Sequence, residues 1–580
     1  MNRLRSILML LHAQNKSRLC ELYSDKYNSN KIKDEMPKTF QYFDFHFEFS
    51  GISFREPEKL SLYIEIPSKL IKTKYDEESV LPIENYLLGF LANDINNLSK
   101  ENININKDSR EKASFETQIT NELLIKRNGL LYHKEKDSFI LKIKFTMPLI
   151  KSVSINAKNG FKAIKSILEL IRLKMLHFSD DDCQLYVDTY IKQQKIRKYL
   201  KENNLSVFIA DGSILPRESG TTKPKKDSVI FKTPETLRIN IPLSEKTIIS
   251  GMGIPKGITV ITGGGYSGKS TLLDAIEMGI YNHIPGDGRE FCISDNTALK
   301  IYAEDGRPIQ NIDMSPFFKY LPYNGNITEF ETHHASGSVS QAANIIEAVC
   351  GKSKLLLIDE DKTATNFMIR DANMRKVVKQ DPIIPFTDRI RELYDSLDIS
   401  TILVIGGSSE YFNYADIVIL MNDYMAYDIT EEIKELDLYN STKPEPPAKW
   451  LFHRYLKPRE TNQTFLHFRF VSNENTKKIV LDDFSSDITL LTSLVSEYQL
   501  NALTYFMEQL LTDKNVDSRE LIDVSSEIAQ TIYSLEIGDV CLSYNYKMES
   551  WFEAVRPIDI YCCANRMRGL KFTIEGDSLK

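Results

Sequence analysis

The amino-acid sequence predicts an α/β core with a mostly parallel sheet, flanked by an α+β region on each side. Over 237–428, short apolar runs alternate with helical segments, and strands that are apolar on both faces are typical of a parallel sheet covered by helices. Before this stretch, period-2 alternation gives way to helical periodicity, and after it the proline-rich segment 443–447 interrupts the chain. We therefore expect an N-terminal α+β domain over 1–205, the α/β core over 206–435 and a smaller C-terminal α+β domain over 448–580.

Length and charge limit the classes of protein to which the chain could belong. With 580 residues, and roughly 150 residues per domain, two to four domains are expected. The 73 Lys and Arg residues are outnumbered by 80 Asp and Glu residues, and the net charge of -7 excludes a uniformly basic nucleic-acid coat protein. No stretch approaches the roughly 18 to 20 uninterrupted apolar residues of a membrane span, which argues against a membrane-embedded transporter.

The cysteines and the N-terminus bear on the cellular compartment. The seven cysteines are odd in number and include no CxxC pair, as expected of free thiols in a reducing compartment, so we expect a cytoplasmic protein. The first residues include Arg3, Arg5, Lys16 and Arg18 without an acid, a pattern also found in mitochondrial transit peptides. We prefer an amphipathic first helix as the interpretation, and a mitochondrial location is the alternative.

The N-terminal region begins with strand-like patterns and continues with helical ones. Within 40–49, every second residue from Phe43 onward is phenylalanine, which predicts a strand buried on one face. Helical periodicity follows from about Gly160. Between 191 and 201 the chain has Lys and Arg side chains but no acid; a solvated helix face is the preferred interpretation, and an RNA- or anion-binding patch is the alternative.

The most specific motif is GGGYSGKS at 263–270, which matches GxxxxGK[ST] between an apolar strand and a helix. Its glycines allow the backbone N–H groups to point at the α- and β-phosphates of a nucleotide, and the helix N-terminus adds its positive dipole. Lys269 is expected to reach the β- and γ-phosphates, and the Ser270 hydroxyl to bind Mg²⁺. The residues assigned to this site are Gly263, Gly264, Gly265, Tyr266, Ser267, Gly268, Lys269, Ser270 and Thr271.

A second motif, KLLLIDED at 354–361, is an apolar run that ends in acids. It predicts a buried strand whose C-terminal carboxylate emerges at the ligand edge of the sheet. Asp359 is placed to hold Mg²⁺, and Glu360 is the candidate general base for an attacking water. A third segment, ASGSVSQAANIIEAV at 335–349, predicts a small-residue loop that opens a helix.

The order of these three motifs resembles that of the ATP-binding-cassette (ABC) ATPases. Aligned with their signature motif, Ser336 and Gly337 fall on the signature Ser and Gly. The residues around these motifs resemble one branch of this class more closely, the predicted ATPases of the ABC class. This branch includes a kinetoplastid mitochondrial RNA-binding ATPase linked to RNA editing. The segments that carry this resemblance are FIADGSILPRESG (208–220), GMGIPKGITVITGGGYSGKSTLL (251–273), YNHIPGDGRE (281–290), KIYAEDGR (300–307), ASGSVSQAANIIEA (335–348), LIDEDKTATNFMIRD (357–371) and GGSSEYFNYAD (406–416).

The resemblance implies a P-loop ABC-type ATPase core with one nucleotide site per chain, and therefore a homodimer that holds two ATP and Mg²⁺ at its interface. Ser336, Gly337 and Ser338 would then contact the γ-phosphate of ATP bound to the second copy. Gln310 is the expected counterpart of the family's Q-loop glutamine, with Asp313 or Ser315 as alternatives.

The chain departs from the usual ABC pattern at two points. It has Gly407 or Ser408 where most ABC ATPases carry a histidine that contacts the γ-phosphate. No aromatic residue lies between Lys232 and Gly265 to stack on adenine.

The function expected from these observations is ATP binding and hydrolysis by a homodimer that is not a transporter and acts on RNA. RNA follows mainly from the resemblance, with the basic runs 191–201 and 565–571 as local support. The alternative is a nucleotide-gated scaffold for protein partners that does not bind nucleic acid. No metal ion other than Mg²⁺ is expected.

Overall fold

The computed structural model describes residues 1–22, 39–51, 56–74, 76–101, 112–321, 325–370, 377–378, 380–436, 445–450, 453–457, 468–473, 476–481, 484–534 and 551–575. The chain divides into two compact units. The first comprises Met1–Tyr190 and Thr531–Ala554, and the second comprises Ile191–Gln530 and Val555–Lys580. The division into three domains at 205 and 448 stays a prediction.

The first unit is an antiparallel sheet with helices. Its sheet has the order β1-β2-β3-β6-β4, and β5 also pairs with β6. Strands β7 and β8 form a separate pair. Its elements are α1 (Asn2–Leu11), β1 (Thr39–Tyr42), β2 (Phe45–Gly51), β3 (Lys59–Pro67), α2 (Val80–Glu101), β4 (Ser114–Glu116), β5 (Leu130–His133), β6 (Ser138–Thr146), β7 (Leu149–Ile150), β8 (Ser154–Ile155) and α3 (Ala157–Leu176), followed by α4 (Asp180–Glu202), which continues into the second unit.

Helix α1 is amphipathic, as the sequence predicts. Its Leu4, Ile7, Leu8 and Leu11 are buried at helical spacing, and the helix packs against α3. The side chains of Arg3 and Arg5 lie on the opposite, exposed face.

The phenylalanine-rich stretch is a hairpin, so the prediction of one continuous strand over 40–49 is wrong. The chain reverses at Phe43, which has a φ of 51° and is 64% exposed, while Phe45, Phe47 and Phe49 of β2 are buried. The alternation of apolar residues in the sequence continues across the turn, although the Phe43 ring does not enter the core. The ring packs against Tyr42 and under the Arg172 guanidinium instead. Periodicity alone therefore could not locate the turn.

The second unit contains two larger sheets and most of the helices. Its elements are β9 (Leu205–Ala210), β10 (Arg238–Ser244), β11 (Thr247–Pro255), β12 (Ile258–Thr262), α5 (Lys269–Met278), β13 (Cys292–Ser294), β14 (Leu299–Ile301), β15 (Ile309–Ile312), β16 (Phe330–Thr332), α6 (Gly337–Cys350), β17 (Leu355–Asp359), α7 (Thr365–Met368), α8 (Ile390–Leu397), β18 (Ser400–Val404), β19 (Ile417–Asn422), β20 (Met425–Asp428), α9 (Thr430–Glu435), β21 (His453–Leu456), β22 (Phe468–Asn473), β23 (Thr476–Leu481), β24 (Phe484–Asp487), α10 (Glu497–Thr512), α11 (Leu521–Ser534, which continues into the first unit after Gln530), α12 (Pro557–Asn565) and β25 (Phe572–Glu575).

The central sheet has the strand order β14-β17-β18-β12-β19-β20 and is parallel except for β20 at one edge. Its inner strands are buried on both faces, as the continuous apolar runs predict. Val404 of β18 aligns with Ile261 of β12 and with Asp359 of β17. Because parallel strands end at the same edge, the loops that follow β12, β17 and β18 lie next to one another.

Smaller sheets complete the second unit. An antiparallel sheet has the order β10-β11-β9-β13, and the remaining strands form the groups β15-β16, β21-β25 and β22-β23-β24. None of the helices in the described part of the chain is long and apolar enough to cross a bilayer.

Candidate functional site

The loop 263–268 connects β12 to α5 and curls around the Lys269 ammonium group. Nζ donates hydrogen bonds to the carbonyl oxygens of Gly263 (2.6 Å) and Gly264 (2.7 Å). Gly268 precedes the helix with a φ of 100°, a conformation that glycine adopts without steric cost. The loop therefore brings a cation and the free N–H groups of the α5 N-terminus together, which is an arrangement suited to phosphate.

The hairpin between β19 and β20 supports this loop from one side. A Cβ atom on Gly263 would lie 2.2 Å from the carbonyl oxygen of Met421, so only glycine fits there. The backbone N–H of Tyr424 donates to the carbonyl oxygen of Ser267 (3.2 Å). The Ser267 side chain is buried, whereas Tyr266 is 97% exposed at the tip of the loop.

Ser270 and Asp359 meet at the ends of neighbouring elements. The Ser270 hydroxyl lies 3.5 Å from Asp359 Oδ2, and the backbone N–H of Asp361 donates to Asp359 Oδ1 (3.2 Å). Asp359 is 7% exposed, and burial raises the pKa of its carboxyl. These hard oxygen donors fit Mg²⁺, which takes one or two protein ligands beside phosphate oxygens and water. No cluster of three or more His, Cys, Asp or Glu side chains that could hold another metal occurs among the described residues.

The carboxylate of Glu360 is held by the loop that follows β18. Its Oε2 accepts hydrogen bonds from the backbone N–H groups of Gly406 (2.6 Å) and Gly407 (3.2 Å). Glu360 is half-buried, and it is the first residue of the 3₁₀ turn Glu360–Lys362, which directly follows Asp359. The structure thus brings Glu360 to the same sheet edge as Lys269, Ser270 and Asp359.

The segment around Ser336 lies at this edge too, but at the far side of the sheet. Ser336 is the exposed N-cap of α6, and a Cβ atom on Gly337 would lie 3.2 Å from Asp305 Oδ1, just beyond β14. Strand β14 is three positions from β12, which at 4.8 Å per strand is about 14 Å. Ser336 therefore does not reach the loop 263–268 of its own chain.

Ser338 faces inward, unlike Ser336. It is 9% exposed, and its hydroxyl lies 3.4 Å from Asn366 Oδ1. The expectation that Ser338 contacts a phosphate with its hydroxyl stays a prediction, and this internal contact argues for a structural role of the side chain.

Gln310 lies on β15, where its amide is engaged by the C-terminal segment. Its Nε2 donates to the carbonyl oxygen of Met567 (3.0 Å). Of the two alternatives, Asp313 is buried and accepts a hydrogen bond from the backbone N–H of Ser315 (2.9 Å). The Q-loop assignment stays a prediction.

The segment that follows α12 contacts α6 and the segments that precede it. Arg566 forms an ion pair with Glu304 and donates to Asn344 Oδ1 (3.0 Å). Arg568 donates to the carbonyl oxygens of His333 (2.8 Å) and Gly306 (3.0 Å). The sequence does not predict these contacts of Arg566 and Arg568, because the run 565–571 has the pattern of a basic surface.

The basic run 191–201 in α4 also makes internal contacts, so the preferred interpretation as a solvated face is wrong for Arg197. Its guanidinium donates to Asn282 Oδ1 (3.0 Å) and to the carbonyl oxygens of Ser294 (3.0 Å), Gly279 (3.0 Å) and Tyr281 (2.8 Å). Gly279 and Tyr281 follow the end of α5, and Ser294 ends β13, so Arg197 links these two elements. Lys195, Lys198 and Lys201 are exposed, although Lys195 also donates to the carbonyl oxygen of Leu243 (2.7 Å).

Comparison with known proteins defines the class of this domain. Residues 179–454 match the family model ABC_ATPase, described as a P-loop domain. This match to a P-loop domain of the ABC ATPase class confirms the fold class predicted from the sequence and implies nucleotide binding.

Individual relatives were found in sequence and in structure. The uncharacterized protein MJ1628 of Methanocaldococcus jannaschii is 31% identical over 262 residues, which cover 43% of this chain and 58% of that protein. The solved structures include the ADP conformation of MJ1267, an ATP-binding cassette of an ABC transporter (13% identity, 40% of this chain, 93% of that chain, TM-score 0.25). They also include cbiO1 from Clostridium perfringens, part of the ABC transporter complex cbiONQ (13% identity, 38% of this chain, 87% of that chain, TM-score 0.24).

Proposed function

We propose that the protein hydrolyses ATP to ADP and phosphate in a dimer of two identical chains. The observation that carries this proposal is the convergence of Lys269, Ser270, Asp359 and Glu360 at one sheet edge, with Ser270 and Asp359 3.5 Å apart and Glu360 held by Gly406. A cationic loop, a pair of hard oxygen ligands and a fixed carboxylate are the parts that phosphoryl transfer to water requires.

Each side chain has a distinct role in the proposed reaction. Lys269 and the N–H groups of the α5 N-terminus bind the β- and γ-phosphates and stabilise the charge that develops there. Ser270 and Asp359 would hold Mg²⁺, which when bound neutralises phosphate charge. Glu360 orients the attacking water and accepts its proton, while the donors of Gly406 and Gly407 keep the carboxylate in place.

A second chain is proposed to complete the site. Ser336 is exposed at the N-terminus of α6 and lies about 14 Å in strand spacing from its own phosphate-binding strand, so its free N-cap is available to a nucleotide on another copy. In a two-fold dimer each Ser336 and Gly337 would face the γ-phosphate of the partner's ATP. ATP would then stabilise the dimer, and hydrolysis would release it.

RNA is the macromolecule proposed from the family resemblance, and a cytoplasmic location is proposed from the cysteine pattern, with a mitochondrial one as the alternative. The two basic runs support RNA binding less than their charge implies. Their Arg197, Arg566 and Arg568 side chains already form hydrogen bonds with other residues of the chain. Fluorescence anisotropy with a mixed-sequence RNA tests this part. RNA binding predicts an affinity that falls steeply with salt, and no binding would favour the protein scaffold instead.

Phosphate release tests the proposed hydrolysis directly. The wild-type protein is expected to release phosphate from ATP only with Mg²⁺, and Lys269→Ala is expected to abolish both ATP binding and turnover. Lys362→Ala is a matched control, since this exposed lysine lies in the 3₁₀ turn Glu360–Lys362 and outside the loop 263–268. Unchanged phosphate release by Lys269→Ala would contradict the site assignment.

A further inference from the structure

We infer that Tyr424, in the hairpin between β19 and β20, is the platform on which the nucleotide base stacks. The inference rests on the proposed function, because it concerns the same nucleotide. It supplies a base contact in a chain that has no aromatic residue between Lys232 and Gly265.

The order of the strands sets the direction of the bound nucleotide. Asp359 and Glu360 serve the γ-phosphate end; Asp359 ends β17 and Glu360 follows it, and the partners of Glu360, Gly406 and Gly407, follow β18. Strand β12, which carries the phosphate-binding loop, lies between β18 and β19. A triphosphate whose γ end points toward β18 and β17 therefore extends its ribose and base toward the carboxyl end of β19.

Tyr424 lies where this base would arrive. Its backbone N–H donates to the carbonyl oxygen of Ser267 (3.2 Å), and its ring carbon Cδ1 is 3.2 Å from the position of a Cβ atom on Gly268. The ring thus flanks the phosphate-binding loop, yet 57% of the residue is exposed. An aromatic ring fixed at its base and open on one face is suited to stacking.

The backbone of the hairpin keeps the ring in this place. Asp423 and Tyr424 have φ values of 47° and 64°, so both occupy the left-handed region as in a two-residue type I′ turn between Asn422 and Met425. A bulky aromatic residue in this region is uncommon. The backbone of the turn and the hydrogen bond from the Tyr424 N–H to Ser267 hold this residue beside the loop 263–268. Neither depends on the aromatic ring, so a substitution that removes the ring leaves the backbone contact possible.

Stacking of this kind does not read the edge of the base. Every base has a π-face, so Tyr424 strengthens the binding of adenine and guanine nucleotides by similar factors. The ring therefore adds affinity for purine nucleotides without excluding GTP.

The test compares the binding of Mg·ADP and Mg·pyrophosphate by calorimetry. Neither ligand has a γ-phosphate that the protein could hydrolyse, and only ADP has a base. Tyr424→Asn removes the ring and keeps a residue that tolerates the left-handed region. We expect it to weaken ADP binding roughly 5- to 100-fold and to leave pyrophosphate binding within about twofold. Tyr424→Phe is expected to restore ADP affinity, and Tyr427→Ala, which removes another exposed tyrosine from the same hairpin, to bind ADP like the wild type.

Several results would overturn the inference. Equal losses for ADP and pyrophosphate in Tyr424→Asn would mean that the residue only supports the loop. Unchanged ADP binding in that variant, or the loss appearing in Tyr266→Ala instead, would place the base elsewhere. A wild-type protein that binds ADP while Tyr424→Asn binds it equally well contradicts only this inference, whereas a wild-type protein that binds neither ligand contradicts the proposed function as well.

Discussion

The Oε2 atom of Glu360 accepts a hydrogen bond of 2.6 Å from the backbone N–H of Gly406, which links the end of β17 to the loop after β18. Gly407 or Ser408 in this loop stands where most ABC ATPases carry a histidine. Here a backbone donor orients the carboxylate directly, and Gly407 adds a second bond at 3.2 Å. The orientation of the proposed general base therefore does not require a side chain from this loop.

The first prediction concerns Arg568, which donates to His333 and Gly306 and so braces the segment before Ser336. Arg568→Ala removes two charge-assisted hydrogen bonds. We expect ATP to bind the single chain with unchanged affinity, while the ATP-dependent dimer forms with an affinity at least about tenfold lower. Analytical ultracentrifugation with and without ATP measures the effect.

Lys571→Ala is the control for Arg568, because Lys571 is an exposed basic residue of the same segment. It should dimerise like the wild type. If both variants lose the dimer equally, the positive charge of the segment supports dimerisation, and the hydrogen bonds of Arg568 to His333 and Gly306 do not.

The second prediction concerns Arg197, which donates to the Asn282 side chain and to three backbone carbonyls, two after α5 and one at the end of β13. Arg197→Ala removes four charge-assisted hydrogen bonds, although the Gly279 carbonyl keeps a bond from the backbone N–H of Ser294 (3.0 Å), so we expect the free energy of unfolding to fall by about 2 to 4 kcal/mol. Urea denaturation followed by circular dichroism measures it. Lys198→Ala, four residues from its exposed partner Glu202, should change stability by less than about 0.5 kcal/mol.

An RNA-binding role for Arg197 makes the opposite prediction. In that case Arg197→Ala would retain wild-type stability and lose RNA affinity. That combination would contradict the structural role assigned to this side chain.

The third prediction concerns pH. Burial raises the pKa of Glu508 in α10 from 4.5 to about 6. Because the folded-state pKa is the higher one, the stability contributed by the protonated carboxyl is present below pH 4.5 and is lost as the pH rises through about 6. Glu508→Gln should therefore be more stable than the wild type at pH 8 by about 1 kcal/mol, after allowance for solvent screening, and equally stable near pH 4.

Melting curves across this pH range test the prediction. Glu497→Gln on the same helix is the control, since Glu497 is exposed in the first turn and its removal should give no gain. A gain for Glu508→Gln that is the same at pH 4 and pH 8 would show that ionisation is not its cause.

The places of the loop 263–268 and of the carboxylates in the fold could be predicted because their signals are local. The motif at 263–270 and the apolar run before Asp359 each specify a strand and the loop that follows it. Their adjacency follows from the rule that parallel strands end at one edge of a sheet. The sequence therefore predicted the four side chains that converge there.

Other features could not be predicted because they depend on what lies opposite a side chain. The charge run around Arg197 and the basic end around Arg568 look like surfaces in the sequence, yet the partners are backbone carbonyls that any residue provides. Tyr424 gave no signal either, because its place beside Ser267 depends on the β19–β20 pairing. The Phe43 turn was hidden by continued alternation of apolar residues.

The central claim, that ATP joins two chains and Glu360 starts its hydrolysis, is tested most directly by the solution mass of Glu360→Gln with Mg·ATP. The substitution keeps the size and the hydrogen-bonding oxygen of the side chain and removes the base. We predict that light scattering after gel filtration gives the mass of two chains with ATP and of one chain with ADP, and that phosphate release is abolished. A variant that stays a single chain with ATP, or that releases phosphate at the wild-type rate, would contradict the account.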